Sequence, residues 1–487
     1  MMDGMSYGRA PRARKVDFGL LLSYLFLVLY GWLNIYSAVY SEEHASILDF
    51  SQRYGLQFIW IMISFGVAII LLYIISPKNL APLSPLFYLA MLVLLAAVIF
   101  LGKEVNGSRS WFFIGSFGFQ PAEFSKITTA LLLSFIMSRY GFSLSNRKDA
   151  VKAALVVLVP ILLIVMEKET GSALVYLGLI LVFYMEGLAG WVIVLGLSLI
   201  AMFVLTIALS PLTAIVCALS AACIIRFFLS RRLIWLLTAI PVIVLICYIP
   251  KLSALESLGF LKALKPQVWA LILFVPHFIL WVRDFLAKRD ERGSGRLILS
   301  LMCAVAMVFS VNFIFTKVLQ PHQRARIENL FGITEDLQGI GYNVHQSKIA
   351  IGSGGLVGKG FLNGTQTKYN FVPEQSTDFI FCTVGEEWGF VGSIVLLAVY
   401  IFLILRIIHL ASRNQDSFSR IYGYCVASIF LMHVVINIGM TMGLLPVIGI
   451  PLPFLSYGGS GMMSFTILLF IFIRLDMERQ NRDADLV

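Results

Sequence analysis

The chain has 487 residues, of which 59% are hydrophobic and only 13% charged, and its mean hydropathy is +0.88. A water-soluble domain of that length would expose large apolar patches with this composition, so a soluble fold is excluded and the bilayer is the solvent. The formal charge of +10 invites a nucleic-acid reading, which the placement of the basic residues removes.

A helix needs about twenty apolar residues to span the hydrocarbon core, and about fourteen such runs are legible, which predicts an all-α polytopic membrane protein. They lie near 17–40, 57–76, 83–101, 124–140, 150–166, 171–187, 189–209, 211–229, 232–250, 266–286, 295–318, 379–409, 420–445 and 456–476. The runs are least defined at 150–166, which is short, and at 187–212, where Gly187, Gly190 and Pro211 alone punctuate three apolar stretches. Short loops rich in Lys and Arg stay in the cytoplasm. With the N-terminus inside, Arg9, Arg12, Arg14, Lys15, Arg139, Arg147, Lys148, Arg226, Arg231, Arg232, Arg283, Lys288, Arg289, Arg406, Arg413, Arg420, Arg474 and Arg479 all fall on that side. Topology therefore accounts for the charge, and no nucleic-acid partner is needed. The first run exceeds a signal-peptide core and lacks a small-residue cleavage pattern, so it reads as a retained helix. Cys217, Cys223, Cys247, Cys303, Cys382 and Cys425 lie in or beside apolar runs and form no disulfide or metal spacing, and the six histidines form no zinc-ligand cluster.

The polar sequence 102–123 carries Trp111, Phe112, Phe113, Phe117 and Phe119, an aromatic belt at headgroup depth. Beyond it Glu123 and Lys126 begin a membrane helix. They are either a dipole-favoured carboxylate with a snorkelling lysine or a functional pair. The segment 166–172 contains Glu167, Lys168 and Glu169, and is either an exposed turn or a functional intrusion into the membrane. The same question attaches to Glu386, Glu387 and His433, while Asn437 suggests a helix-to-helix hydrogen bond. The longest polar stretch, 319–378, falls outside the cell. It is rich in turn chemistry, with Gly339, Gly341, Gly352, Gly354, Gly355, Gly358, Gly360 and Gly364. Glycines there permit tight turns and close backbone approach to a ligand; interleaved aromatic and charged residues argue against a merely flexible loop. Neither GxGxxG nor a Walker motif is present, so a nucleotide site lacks support.

Six separated motifs in order make the chain resemble the SEDS family of shape, elongation, division and sporulation proteins, in its RodA branch. They are NGSRSWFFIGSFGFQPAEFSK at 106–126, GSAL at 171–174, RARIENLF at 324–331, GIGYNVHQSKIAIGSGGLVGKGFLNGTQT at 339–367, VPEQSTDFIFCTVGEEWGFVGS at 372–393 and GLLPVIGIPLPFLSYGGSGM at 443–462. The family has about ten membrane helices, so about four more are inserted here. The expected organisation is a cytoplasmic tail 1–16, a first core part 17–210, inserted helices 211–294, a core helix 295–318, an extracytoplasmic catalytic loop 319–378, a second core part 379–477 and a tail 478–487.

The resemblance implies a bacterial cytoplasmic-membrane enzyme that polymerises lipid II, an undecaprenyl-pyrophosphate-linked disaccharide-pentapeptide, into glycan strands during elongation. It also implies a class B penicillin-binding protein and other elongation proteins as partners. The family's functional aspartate maps onto Asp378, the expected general base; burial would raise its pKa, as would Glu374 if the two lay one helical turn apart, whereas a helix dipole would lower it. Substrate contacts are expected from Arg109, Glu123, Lys126, Gln346, Ser347, Lys359 and Lys368, with Arg324 and Arg326 as further cations for the pyrophosphate. No cofactor is fixed, although a divalent Mg or Mn ion at Asp378 and Glu374 would serve the leaving group. A lipid II flippase and a non-catalytic scaffold for cell-wall synthases are the alternatives.

Overall fold

The computed structural model describes residues 16–40, 46–105, 107–115, 117–208, 211–230, 294–313, 341–369 and 371–485, with scattered positions between 275 and 324. Among these residues eight helices are long and apolar enough to cross a membrane. The runs expected near 232–250 and 266–286, and much of the loop 319–340, lie outside the described residues. The chain divides into two compact units, Met1–Leu188 with Tyr342–Val487, and Ala189–Gly341.

The first unit contains α1 (Phe18–Val39), α2 (Arg53–Tyr73), α3 (Pro77–Leu101), α4 (Pro121–Met137) and α5 (Arg147–Met166). Their starts follow from local chemistry. Asp17 accepts the Leu20 amide at 3.1 Å, Asn146 accepts that of Lys148 at 3.1 Å, and Pro77 and Pro121 open helices where a missing N–H costs nothing. The run expected as one helix over 171–187 is instead α6 (Thr170–Tyr176), a 3₁₀ turn Leu177–Leu179 and α7 (Ile180–Met185). At the break Gly178 leaves room only for the Met432 side chain and the Ser428 carbonyl of a neighbouring helix.

Among the described residues the all-helical expectation has one local exception. Residues after α3 form an antiparallel three-stranded sheet, β1 (Lys103–Val105), β2 (Ser108–Ile114) and β3 (Phe117–Phe119). Its aromatic residues cover one another: Trp111 stacks on Phe113, whose ring also receives the Lys103 ammonium at 5.2 Å.

In the second unit, α8 (Gly190–Ala208), α9 (Pro211–Ser230) and α10 (Ser294–Phe313) share an apolar core that includes Met202, Ile215, Leu219, Leu301 and Val308. The first unit then continues with α11 (Tyr342–Ser353), α12 (Thr365–Lys368), α13 (Ile380–Ser412), α14 (Ser417–Thr441) and α15 (Gly459–Asp485). Asp17 also accepts from Arg406 of α13 at 2.7 Å, and Glu186 accepts from Arg420 of α14 at 2.9 Å. Between α14 and α15 runs a non-helical segment in which Ile450, Leu452, Phe454, Leu455 and Ser456 are buried. Gly31 of α1 makes room for it, since a Cβ there would lie 2.6 Å from the Phe454 carbonyl. Irregular backbone at such depth is tolerable only when protein groups satisfy it, and those groups define the candidate site.

Candidate active site

Asp378 stands in a turn just before α13, not in a helix. The condition of a helical register with Glu374 is therefore not met: Glu374 has φ +52°, and the amides of Thr377 and Phe379 both close on its carbonyl. The electrostatic consequence survives the change of geometry. Burial first, and then the Glu374 charge, push the Asp378 carboxyl up to about 6.

The turn is held from three directions. Ser456 Oγ donates to the Thr377 carbonyl at 2.6 Å, and the Tyr457 amide to that of Ser376 at 2.9 Å. Asn437 Nδ2 donates to both the Asp378 carbonyl at 2.8 Å and the Ile450 carbonyl at 2.7 Å. Asn437 thus ties a helix to two non-helical segments, where a helix-to-helix bond was expected. Arg53, at the start of α2, donates to Ser376 Oγ at 2.8 Å and lies 3.5 Å from the Glu374 carboxylate. The Asp378 side chain rests on the backbone of Gly449, where a Cβ would stand 3.2 Å from Oδ2.

A second cluster is joined to this turn through residues 450 and 451. Lys126, with its side chain 2% exposed, donates to Glu123 Oε1 at 2.8 Å and to His433 Nε2 at 2.8 Å. His433 Nδ1 lies 3.1 Å from the Pro451 carbonyl, which can only accept, so Nδ1 carries the proton and Nε2 receives one from Lys126. Ser464 completes the Glu123 shell at 3.2 Å, and the Phe465 ring faces the ammonium at 5.3 Å. His433 and Asn437, one turn apart on α14, therefore bind adjacent carbonyls and connect Lys126 to the Asp378 turn. On an adjoining face of α4, Phe124, Ile127 and Leu131 help line an apolar groove of about 520 Å³ shared with α2, α3 and α15.

In the glycine-rich loop, Gly354 and Gly358 stand against the chain's own backbone. Helix α13 breaks at Gly389, φ +64°, and residues 355–360 fill the break. Lys359 and Gly360 amides donate to the Glu386 and Glu387 carbonyls at 3.0 Å, while Phe390 and Val391 amides donate to the Gly355 and Leu356 carbonyls. A Cβ on Gly354 would lie 2.0 Å from the Gly385 carbonyl and one on Gly358 2.1 Å from that of Glu387. These glycines admit the chain's own backbone. Glu386, fully buried, caps α12 by accepting the Thr365, Gln366 and Thr367 amides and the Lys359 ammonium at 2.7 Å. Glu387 accepts from Ser37 Oγ of α1.

Of the expected substrate contacts, the structure brings Glu123 and Lys126 to the Asp378 turn through His433 and Asn437. Lys359 is paired with Glu386, and Ser347 donates to the Thr441 carbonyl at 2.9 Å. Gln346 lies half-buried on α11, and the Lys368 ammonium stands 5.9 Å from the Tyr40 ring. Arg109 faces Glu104 across the β1–β2 ladder at 3.6 Å and is largely exposed. Arg324 belongs to the second unit, against Phe315, and Arg326 lies outside the described residues. Among the described residues no three His, Cys, Asp or Glu side chains are grouped to hold a metal ion.

A family model for the cell cycle proteins FtsW, RodA and SpoVE matches residues 19–227 and 293–481. The chain belongs to this family. It is 31% identical over 455 residues to the peptidoglycan glycosyltransferase RodA of Treponema pallidum, covering 93% of this chain and 95% of that one. It is 29% identical over 450 residues to the peptidoglycan glycosyltransferase MrdB of Escherichia coli K12, covering 92% and 90%. Among solved structures, a chain of a peptidoglycan synthase complex superposes with a TM-score of 0.60 at 23% identity, covering 95% of this chain and 98% of that one. The rod shape determining protein RodA of Thermus thermophilus gives 0.55 at 21%, covering 96% and 99%. The chain is thus a multi-pass membrane protein with the RodA-like SEDS fold. The stretch left unmatched, 228–292, falls within the expected insert 211–294.

The sequence reading passed over Arg53 and Ser464 and did not connect His433 to Lys126. Arg53 carried a legible signal, since it opens an apolar helix on the side where the chain's own Lys/Arg pattern predicts few basic residues. The connection through residues 450 and 451 had none, because it depends on where a non-helical segment folds back.

Proposed function

We infer that this chain is a peptidoglycan glycosyltransferase that polymerises lipid II at the outer face of the bacterial cytoplasmic membrane during elongation, with Asp378 as general base. The observation that carries the base assignment is a half-buried carboxyl, set on a fixed turn, whose surroundings bring its pKa near neutrality. Asp378 takes the proton of the acceptor 4-hydroxyl as that oxygen bonds to the anomeric carbon of the donor sugar. The bond from that carbon to the pyrophosphate oxygen breaks, and the lipid pyrophosphate leaves. Arg53, beside the turn, presents the planar donor set that suits a pyrophosphate. The apolar groove beside Phe124 is suited to an isoprenoid tail.

Asp378 and Glu374 can furnish a Mg or Mn ion with two carboxylates, the phosphates and water supplying the remaining oxygens. A class B penicillin-binding protein is the expected partner, in keeping with the similarity to a chain of a synthase complex. The outward placement of the site rests on the basic loops. Incubation of the purified protein with lipid II in detergent tests the reading. Glycan strands form if the chain is a polymerase, whereas a flippase or a scaffold leaves lipid II unchanged.

A further inference from the structure

The turn between α5 and α6 carries two carboxyl groups that the proposed reaction leaves unused. Glu167 is 1% exposed, and neither of its side-chain oxygens has a hydrogen-bond partner. Glu169 uses Oε1 to accept from Gln120 Nε2 at 2.6 Å and from Ser172 Oγ, while its Oε2 is also buried without a partner. Ser110 of β2 reaches Glu169 as well, and the Arg109 amide crosses to the Glu167 carbonyl at 3.3 Å. Lys168, between the two acids, is exposed.

Three orphaned acceptor oxygens in one buried turn are an unusual load. Such groups are relieved either by protons or by a cation. Two features favour the cation. Glu169 is already oriented by Gln120 and Ser172, as metal-binding carboxylates commonly are. The donors are moreover all oxygen, with the Ser110 hydroxyl at hand, which is the set selected by hard divalent ions.

We propose that Glu167 and Glu169, with the Ser110 hydroxyl, hold a divalent metal ion that clamps the β1–β3 sheet to the α5–α6 turn, apart from Asp378. The ion places fixed positive charge near Glu123, which is close enough to act electrostatically on Glu169. It also pins Gln120, the residue that precedes α4 and its Glu123–Lys126 pair.

The test uses the full-length protein in detergent, stripped with chelator, with Mn²⁺ binding followed by electron paramagnetic resonance and unfolding followed by temperature. Without lipid II, whose phosphates are needed to complete an ion at Asp378 and Glu374, wild type and Asp378→Asn should each show one saturable Mn²⁺ site and melt higher with the metal bound. Glu167→Gln should bind at least about tenfold more weakly, and its metal-free form should melt above metal-free wild type, because a neutral amide replaces an uncompensated acid. Ser110→Ala, which leaves both acids in place, should weaken binding less. Equal Mn²⁺ affinity in wild type and Glu167→Gln would show that a proton relieves the pair and would overturn the proposal. So would absence of any saturable site in wild type, or a site lost in Asp378→Asn and kept in Glu167→Gln.

Discussion

Replacing Asp378 with Asn removes the proton acceptor while keeping the side-chain volume and the backbone contact to Asn437 that places it. For the native carboxyl at about 6, roughly a tenth is ionised at pH 5, about half at pH 6 and about nine tenths at pH 7. Strand synthesis at saturating lipid II should therefore rise by about tenfold from pH 5 to a plateau above pH 7. Glu374→Gln removes the like charge, the smaller of the two causes, and should move this acidic limb to lower pH without returning it to the ordinary carboxylate range. Asp378→Asn should lower the rate by about 10²–10⁴ and abolish the limb. The stability sign is opposite. A carboxyl whose folded pKa is raised weakens the fold as pH climbs from its unfolded value through about 6, so the Asn variant should melt higher than wild type at pH 7. The assay is lipid II polymerisation in detergent between pH 5 and pH 8, read as glycan strands on gels, with melting curves on the same samples. Near-normal synthesis by a folded Asp378→Asn, or an acidic limb moved upward by Glu374→Gln, would refute the reasoning.

Lys126→Met leaves Glu123 buried without its cation and should cost about 3–5 kcal/mol, whereas the double variant Glu123→Gln/Lys126→Met should recover most of the melting temperature but not the polymerase rate. Gly358→Ala places a methyl 2.1 Å from the Glu387 carbonyl at φ +80°. The left-handed backbone alone costs about 1–2 kcal/mol, so thermal unfolding should come earlier and amide exchange at residues 355–360 should accelerate. For topology, cysteines placed at Ser145 and Ser294 should be shielded from an impermeant reagent in spheroplasts while one at Asn363 labels; the reverse pattern would invert the site.

Helix positions were legible wherever an apolar run was long, but the end marks at Pro121 and Asn146 went unread, so the runs expected from 124 and 150 begin late against helices that start at Pro121 and Arg147. Periodicity could not foresee the α6–α7 break, because the feature that dictates it is Met432 packed against Gly178, more than two hundred residues away in the chain. The candidate base was legible only through family motifs. Its neighbourhood was partly so: a Glu and a Lys three residues apart at a helix start were visible as a pair, but their closure by His433 and Ser464 was not. The glycine loop shows the limit most clearly. Its composition announced close backbone approach, and the structure has that approach, yet what approaches is the broken helix at Gly389.

That break and the Asp378 turn solve one physical problem in two ways. Backbone that leaves a helix inside a membrane protein exposes amides and carbonyls that lipid cannot satisfy, so each departure needs a dedicated partner. At Gly389 the partner is another piece of backbone, so these hydrogen bonds themselves need no side chain. At the Asp378 turn the partners are side chains, Ser456, Tyr457's amide aside, together with Asn437, reaching from α14 and from the segment beyond it. Side-chain partners let the turn keep a half-buried acid facing the Gly449 backbone instead of a closed ladder. Asn437 is the strictest of them, because its one amide nitrogen satisfies carbonyls on both sides of the site. Loss of that nitrogen would free the Asp378 and Ile450 carbonyls together, so the base and the segment that leads to His433 would lose register in one step.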